Sequence, residues 1–165
     1  MILDIEQGTS EWKSWRKGKI GSSSAPIVMG NSPYCTPYEL WREFVGLPPR
    51  KKKKSSENQA TNLGTRFEPA ARALYELQTG NEVPPVLLVS SAYPWMIASL
   101  DGFNAQTKTV WEAKCVQGGD TWEMAKEGKI PQHYVDQIQH QLFVAEASLC
   151  HFFVSKLGKK SDFYI

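Results

Sequence analysis

The spacing of apolar positions changes along this 165-residue chain. Up to about residue 80 they recur every three or four residues, the spacing of amphipathic helices. SEWKSWRK places Trp12 and Trp15 three apart, with Ser10 as the expected N-cap and Gly18 as the stop. Tyr38–Val45 is a second helix, ended by Gly46 and two prolines. TRFEPAARALYELQTG brings Phe67, Ala71, Leu74 and Leu77 or Gln78 near one helical face, with Gly80 as terminator and Pro69 expected in the first turn. The period then drops to two. Val83–Ser90, Trp95–Ser99 and Lys108–Cys115 read as strands, with Gly102-Phe103-Asn104 as a break before the last. Asp120 and Glu123 suggest a capping box for a short helix stopping at Gly128, and Pro131 opens the longest helix, to about Ala147. Cys150–Val154 and Phe163–Ile165 close the chain as strands. The expected fold is α/β, a mixed central β-sheet flanked by helices, in one domain over 1–165.

Composition narrows the function classes. Hydrophobic residues make up 41% and charged residues 22% of the chain, enough for a real core and ordinary for a globular protein. No apolar run approaches the roughly 18 residues of a membrane span, and MILDIEQGTSEW lacks the pattern of a secretory leader. Cys35, Cys115 and Cys150 are odd in number and form no CxxC pair, which excludes a disulfide scaffold and a zinc ribbon and favours a reducing cytoplasm. Net charge is only +2 but uneven: residues 1–66 hold 11 Lys and Arg against 6 Asp and Glu, and residues 67–165 hold 8 against 11. A phosphate-facing basic half and a metal-holding acidic half would look like this. So would a solvated basic loop, since Arg50–Lys54 account for the difference within Leu47–Asn62, a Pro-, Lys- and Ser-rich stretch expected to be a flexible, exposed loop.

The chemistry concentrates in SLDGFNAQTKTVWEAKC. Alternation along the strand puts Val110, Glu112 and Lys114 on one face and Trp111, Ala113 and Cys115 on the other. A hairpin-like return would set Asp101 beside Glu112, and two converging carboxylates suit a hard divalent cation. The same residues also read as a plain Glu112–Lys114 ion pair on a half-exposed strand. Glu68, on the preceding helix, is a candidate third carboxylate. On the long helix Tyr134, Gln137 and Gln141 fall on one stripe, with His133 and His140 alongside and Val135, Ile138 and Leu142 on a separate apolar stripe. Uncharged amides and a phenol suit hydrogen bonding to phosphate or water. A soluble helix also needs some polar face. Trp12, Trp15, Trp41 and Trp111 are expected in the core, and His133, His140 and His151 lack a metal-binding pattern.

Taken together these segments resemble the lambda-type phage exonucleases, the YqaJ-type viral recombinase branch of the PD-(D/E)XK nuclease superfamily. QGTSEWKSWRKGKIGSSS, SPYCTPYELWREFVG, GTRFEPAARALYELQTG, SLDG with VWEAKC, and PQHYVDQIQHQL are similar to that family's blocks, in its order, across about Ile5 to Val154. The resemblance implies a restriction-endonuclease-like core and a Mg²⁺-dependent deoxyribonuclease, with Mn²⁺ as a substitute. It implies action on double-stranded DNA as a 5′-to-3′ exonuclease of phage recombination. Asp101, Glu112, Glu68 and the Ala113 carbonyl would be metal ligands, and Lys114 would position or activate the attacking water. Gln137, helped by Tyr134, would orient the site, and Arg16 with Ser22–Ser23 would receive a phosphate. It further implies a phage or prophage source, a single-strand annealing protein as partner, and a homo-oligomer. An endonuclease or nickase with the same site, or a non-catalytic DNA-binding module, are the alternative readings. Three departures stand out. Leu100 replaces the proline before Asp101, Ile20-Gly21-Ser22-Ser23 replaces ITAS, and the C-terminal helices of larger members do not follow Ile165, which bears on the family's ring-shaped trimer.

Overall fold

A computed structural model of the chain describes residues 1–5, 7–48, 55–156 and 163–165, with 55–63 described by backbone alone. In order they form β1 (Ile2–Leu3), α1 (Ser10–Trp15), β2 (Ile20–Gly21), a 3₁₀ turn (Ser22–Ser24), α2 (Ala25–Val28), α3 (Pro37–Phe44), α4 (Ser55–Thr79) and β3 (Val86–Val89). Then follow β4 (Met96–Leu100), β5 (Gly102–Asn104), β6 (Thr109–Val116), α5 (Asp120–Lys126), α6 (Gln132–Ala145), β7 (Leu149–Lys156) and β8 (Phe163–Tyr164).

The strands form two mixed four-stranded sheets where one central sheet was expected. One runs β1-β3-β4-β2 and the other β5-β6-β7-β8. The chain leaves the first sheet at Leu100 and enters the second at Gly102, so Asp101 is the hinge residue between them. Gly102 does not break the strand pair as expected. It pairs with Trp111 at the start of an antiparallel β5–β6 ladder, which sets Asp101 across from Glu112. A Cβ on Gly102 would lie 2.7 Å from the Val83 carbonyl oxygen, so only glycine allows this approach. β6 then pairs in parallel with β7 over eight positions, Thr109↔Leu149 to Val116↔Lys156.

Helices cover both faces of the second sheet. On one, Ala71 and Tyr75 of α4 pack with Trp111, Phe153 and Val83. On the other, Val144 and Ala145 of α6 pack with Val110, Leu100 and Phe103, while Trp122 of α5 and Ile138 of α6 meet Phe152 and Val154. The two faces of β6 read from alternation are thus the two faces observed.

Several element ends differ from expectation. Thr9, extended at φ −68° and ψ 166°, caps α1 by accepting the Trp12 N–H, so Ser10 is the first helical residue. Gly119 precedes α5 with φ +89°, leaving Asp120 inside the helix and without a capping role. The expected loop Leu47–Asn62 is helical from Ser55 onward. SSENQATN contains no proline or glycine, and once joined to an anchored amphipathic helix such a polar segment extends it at little cost. Residues 49–54, with the whole Arg50–Lys54 basic run, lie outside the described residues. Pro69 consequently sits inside α4 and not in its first turn, where it gives no N–H to the preceding turn. No helix among the described residues is long and apolar enough to cross a membrane.

Candidate active site

Glu112 is the most enclosed charged side chain of the site, 1% exposed. A buried carboxylate needs donors for its oxygens, and three side chains supply them. Oε1 accepts from Lys114 Nζ at 2.5 Å and Gln137 Nε2 at 2.7 Å, and Oε2 accepts from Gln141 Nε2 at 2.5 Å. Both amides come from α6, four residues apart and therefore on one face. That polar stripe points inward, onto β6: Gln141 is fully buried, and its Oε1 finds no hydrogen-bond partner among the described residues.

Asp101 is held differently. Its Oδ2 accepts the Ala113 N–H at 2.9 Å, and its own carbonyl accepts from Arg72 Nε at 3.1 Å and Nη2 at 2.7 Å. Arg72 also pairs with Glu68 at 2.8 Å, one turn earlier on α4. Burial raises the Asp101 pKa well above the usual carboxylate range, and the neighbouring Glu112 charge pushes it further, against the pull of Lys114. Glu68 is raised by burial too, with Arg72 opposing. For Lys114, burial alone would favour loss of its proton, but Glu112 and Asp101 together outweigh it and raise the pKa. Its ammonium, 21% exposed at the side chain, also lies 4.7 Å from the centre of the Tyr134 ring.

These groups open onto a cleft of about 1300 Å³, larger than most small-molecule pockets, whose walls include Glu68, Asp101, Ala113, Lys114 and Tyr134. The loop before α3 is strapped across to α6 beside it, by Asn31 to Asp136 at 2.8 Å and by Tyr34 edge-on to His133. A second, smaller pocket is rimmed by Trp12, Arg16, Lys19 and Ser23, and shares Ser23 and Ile27 with the cleft. Arg16 rests 4.5 Å over the Trp12 ring.

Of the expected residues, Glu68, Asp101, Ala113, Lys114 and Tyr134 therefore line one cleft, and Glu112 and Gln137 stand behind it, linked to Lys114 through the hydrogen bonds that Glu112 accepts. Arg16 and Ser23 stand in the adjoining pocket. Ser22 is buried, its hydroxyl without a hydrogen-bond partner among the described residues, so Ser23 is the serine of the two that reaches the surface. The sequence reading missed Arg72, although its position four residues after Glu68 is the helical ion-pair spacing. His140 hydrogen-bonds the Ile97 carbonyl and His151 the Tyr75 hydroxyl, both away from the cleft, while His133 lines it. Cys150 is pushed up to about 12, by burial first and then by the Glu112 charge, so its thiol is unreactive.

The donor set is all oxygen, which suits a hard cation. Among the described residues no group of three or more His, Cys, Asp or Glu side chains is gathered to hold a metal ion, because Glu112 is turned to its three donors and Glu68 to Arg72. Magnesium requires only one or two protein carboxylates besides water and phosphate oxygens. Asp101 and Glu68, raised first by burial and further by the Glu112 charge, are groups whose ionised form a divalent cation would favour.

Comparison with known proteins bears on the fold and the family. The chain is 27% identical to an alkaline exonuclease from Laribacter hongkongensis, whose crystal structure in complex with dAMP superposes with a TM-score of 0.72 over 94% of this chain and 80% of that one. A phage-related exonuclease from Haemophilus somnus, 13% identical with a TM-score of 0.59 over 86% of this chain and 70% of that one, shares the fold. The fold is restriction-endonuclease-like. Among curated proteins, the chain is 29% identical over 146 residues to the uncharacterized protein YqaJ of Bacillus subtilis, covering 87% of this chain and 44% of that one. Protein D345L of African swine fever virus is 26% identical, covering 83% and 46% respectively. The chain spans less than half the length of these curated relatives. The profile of the YqaJ-like viral recombinase domain matches residues 11–148, and the chain belongs to that family.

Proposed function

We propose that this chain is a divalent-cation-dependent deoxyribonuclease that hydrolyses the phosphodiester bonds of double-stranded DNA from an end, 5′ to 3′. The observation that carries this reading is the gathering of Asp101, at the β4–β5 junction, with Glu112 and Lys114 of β6, at an open cleft that Asp101 and Lys114 line and that adjoins the basic Arg16 pocket. Similarity to exonucleases of solved structure supports it.

Asp101, Glu112 and the Ala113 carbonyl would hold Mg²⁺, or Mn²⁺ in its place, with Glu68 nearby. A bound ion supplies charge neutralisation at the phosphate and lowers the pKa of water. The chain's own residues do the positioning. Gln137 and Gln141 fix the Glu112 carboxylate, and Arg72 fixes the backbone of Asp101. Lys114, kept as an ammonium by its carboxylate neighbours, is a donor and a fixed positive charge, so it orients the attacking water and offsets charge on phosphorus without taking a proton. Arg16 and Ser23 offer a cation and a hydroxyl to a terminal phosphate. In this reading the chain acts in the host cytoplasm on phage or prophage DNA, assembles as a homo-oligomer and leaves single strands for an annealing protein.

Digestion of end-labelled linear duplex tests the reading. Cleavage should need Mg²⁺, stop with chelator, release nucleotides from the 5′ end and proceed faster on 5′-phosphorylated ends. Arg16→Ala should remove that preference by roughly tenfold or more, the scale of a charged hydrogen bond. Equal cleavage of covalently closed circles would make the chain an endonuclease. Binding without any cleavage would make it a non-catalytic module.

A further inference from the structure

Trp111 is fully buried, as expected for a core tryptophan, but Trp41 is 51% exposed. Tyr38, one turn earlier on α3, is 50% exposed, and the two rings stack with centroids 5.6 Å apart and planes 24° from parallel. Neither ring is needed to hold the helix down. Leu40 is the buried residue of α3, Phe44 joins it in the wall of the Arg16 pocket, and the Thr36–Glu39 capping box secures the N-terminus. Arg42 lies against the Tyr38 ring at 5.8 Å, with Nη2 fixed by the Pro48 carbonyl at 2.8 Å. Large flat rings left in water, stacked together and edged by a guanidinium, form a surface with spare binding capacity.

We propose that Tyr38 and Trp41 form a stacking platform for the unpaired bases of single-stranded DNA beside the nuclease cleft. Every base offers a π-face, so aromatic platforms bind single strands with little sequence preference, provided that cations receive the backbone. Cations are present. Lys13, Arg16, Lys17 and Lys19 rim the pocket walled by α3, against the single acid Glu43. That excess of positive charge favours a polyanion over a second copy of this chain, whose matching face would carry the same sign. The proposal rests on the nuclease reading only for the identity of the polymer.

The test measures binding without catalysis. In chelator, fluorescence anisotropy with labelled oligo(dT) and with labelled blunt duplex compares the wild type with Tyr38→Leu, Trp41→Leu and Trp41→Phe. Each leucine variant should weaken oligo(dT) binding at least about fivefold, the lower end expected for one stacked base. The loss on blunt duplex should be smaller, and Trp41→Phe should retain most of the affinity. Saturating oligo(dT) should also quench tryptophan emission in the wild type, and Trp41→Phe should lose most of that quench, a readout that does not depend on the leucine variants folding. Unchanged oligo(dT) affinity in both leucine variants overturns the platform. So does a quench that survives in Trp41→Phe, or leucine variants whose sedimentation shows loss of a dimer or trimer in place of lost oligo(dT) binding. A chain that cleaves duplex but binds oligo(dT) without regard to Trp41 defeats the platform alone. One that binds oligo(dT) through Trp41 but never cleaves defeats the nuclease reading alone.

Discussion

Two carboxylates face each other where the sheets meet, and the chain treats them in opposite ways. Glu112 sits mid-strand on β6, enclosed by α6, with donors from Lys114, Gln137 and Gln141 on its two oxygens. Asp101 sits at the point where the chain changes sheets, with a single backbone N–H on its carboxyl and its proton affinity raised by burial and by Glu112. One side of the cleft is complete as it stands. On the other, burial and the Glu112 charge disfavour the ionised form of Asp101, and α4 adds Glu68, raised by burial although it is paired with Arg72. In such a pair the satisfied member sets geometry, while the unsatisfied member makes the site responsive to an incoming cation.

The largest effect should come from disabling the complete side. Glu112→Gln replaces an acceptor oxygen with an NH₂ facing donors, and Lys114→Ala removes the only ammonium at the Glu112 carboxylate among the described residues. Each should reduce Mg²⁺-dependent cleavage of duplex by at least about 100-fold, the scale of losing one fixed donor to developing charge. Salt-sensitive DNA binding in chelator should change little. Cleavage at wild-type rate in both variants would remove the site from consideration.

A smaller effect separates the two carboxylates through stability. Gln141→Leu leaves Glu112 Oε2 buried without a donor, at a cost of about 1–3 kcal/mol. The low end applies, since the substitution also deletes the unpartnered Gln141 Oε1. For a domain of this size each kcal/mol shifts Tm by roughly 2–4 °C, so Tm should fall by a few degrees. Asp101→Asn should move the metal-free protein the other way. Its amide oxygen still accepts the Ala113 N–H, and the neutral side chain removes the like-charge contact with Glu112. Thermal unfolding in chelator at neutral pH reads both, and shifts of the same sign would undo the contrast.

Much of this was legible in the sequence because it is local. Alternation along VWEAKC fixed which side chains of β6 share a face, and the short path from SLDG to VWEAKC set Asp101 opposite Glu112. What stayed hidden depends on partners distant in sequence. A polar helix stripe reads as a solvent face until the helix is known to lie against a buried carboxylate, so the inward turn of Gln137 and Gln141 has no signature of its own. Trp41 reads as core for the same reason: hydrophobicity states that a ring prefers burial, not whether α3 finds a surface to cover it. The Ser55 start of α4 was obscured by composition, because polar, serine-rich segments are weak evidence in either direction.

The finest test of the contrast is the pH dependence of stability in the metal-free protein. Asp101 and Glu68 both have folded-state pKa values raised above those of the unfolded chain. Between the ordinary carboxylate range and the raised values, the folded state therefore binds more protons than the unfolded state, and stability falls as pH rises through that window. The contribution is fully present below the ordinary range and is lost above the folded pKa. Thermal melts in chelator across a pH series should show this decline, and saturating Mg²⁺ should flatten it, because a cation favours the ionised carboxylates. Asp101→Asn combined with Glu68→Gln should remove most of the slope. Were the decline to persist in that double variant, its source would lie elsewhere in the molecule, and the two sides of the cleft would no longer differ in the way their surroundings indicate.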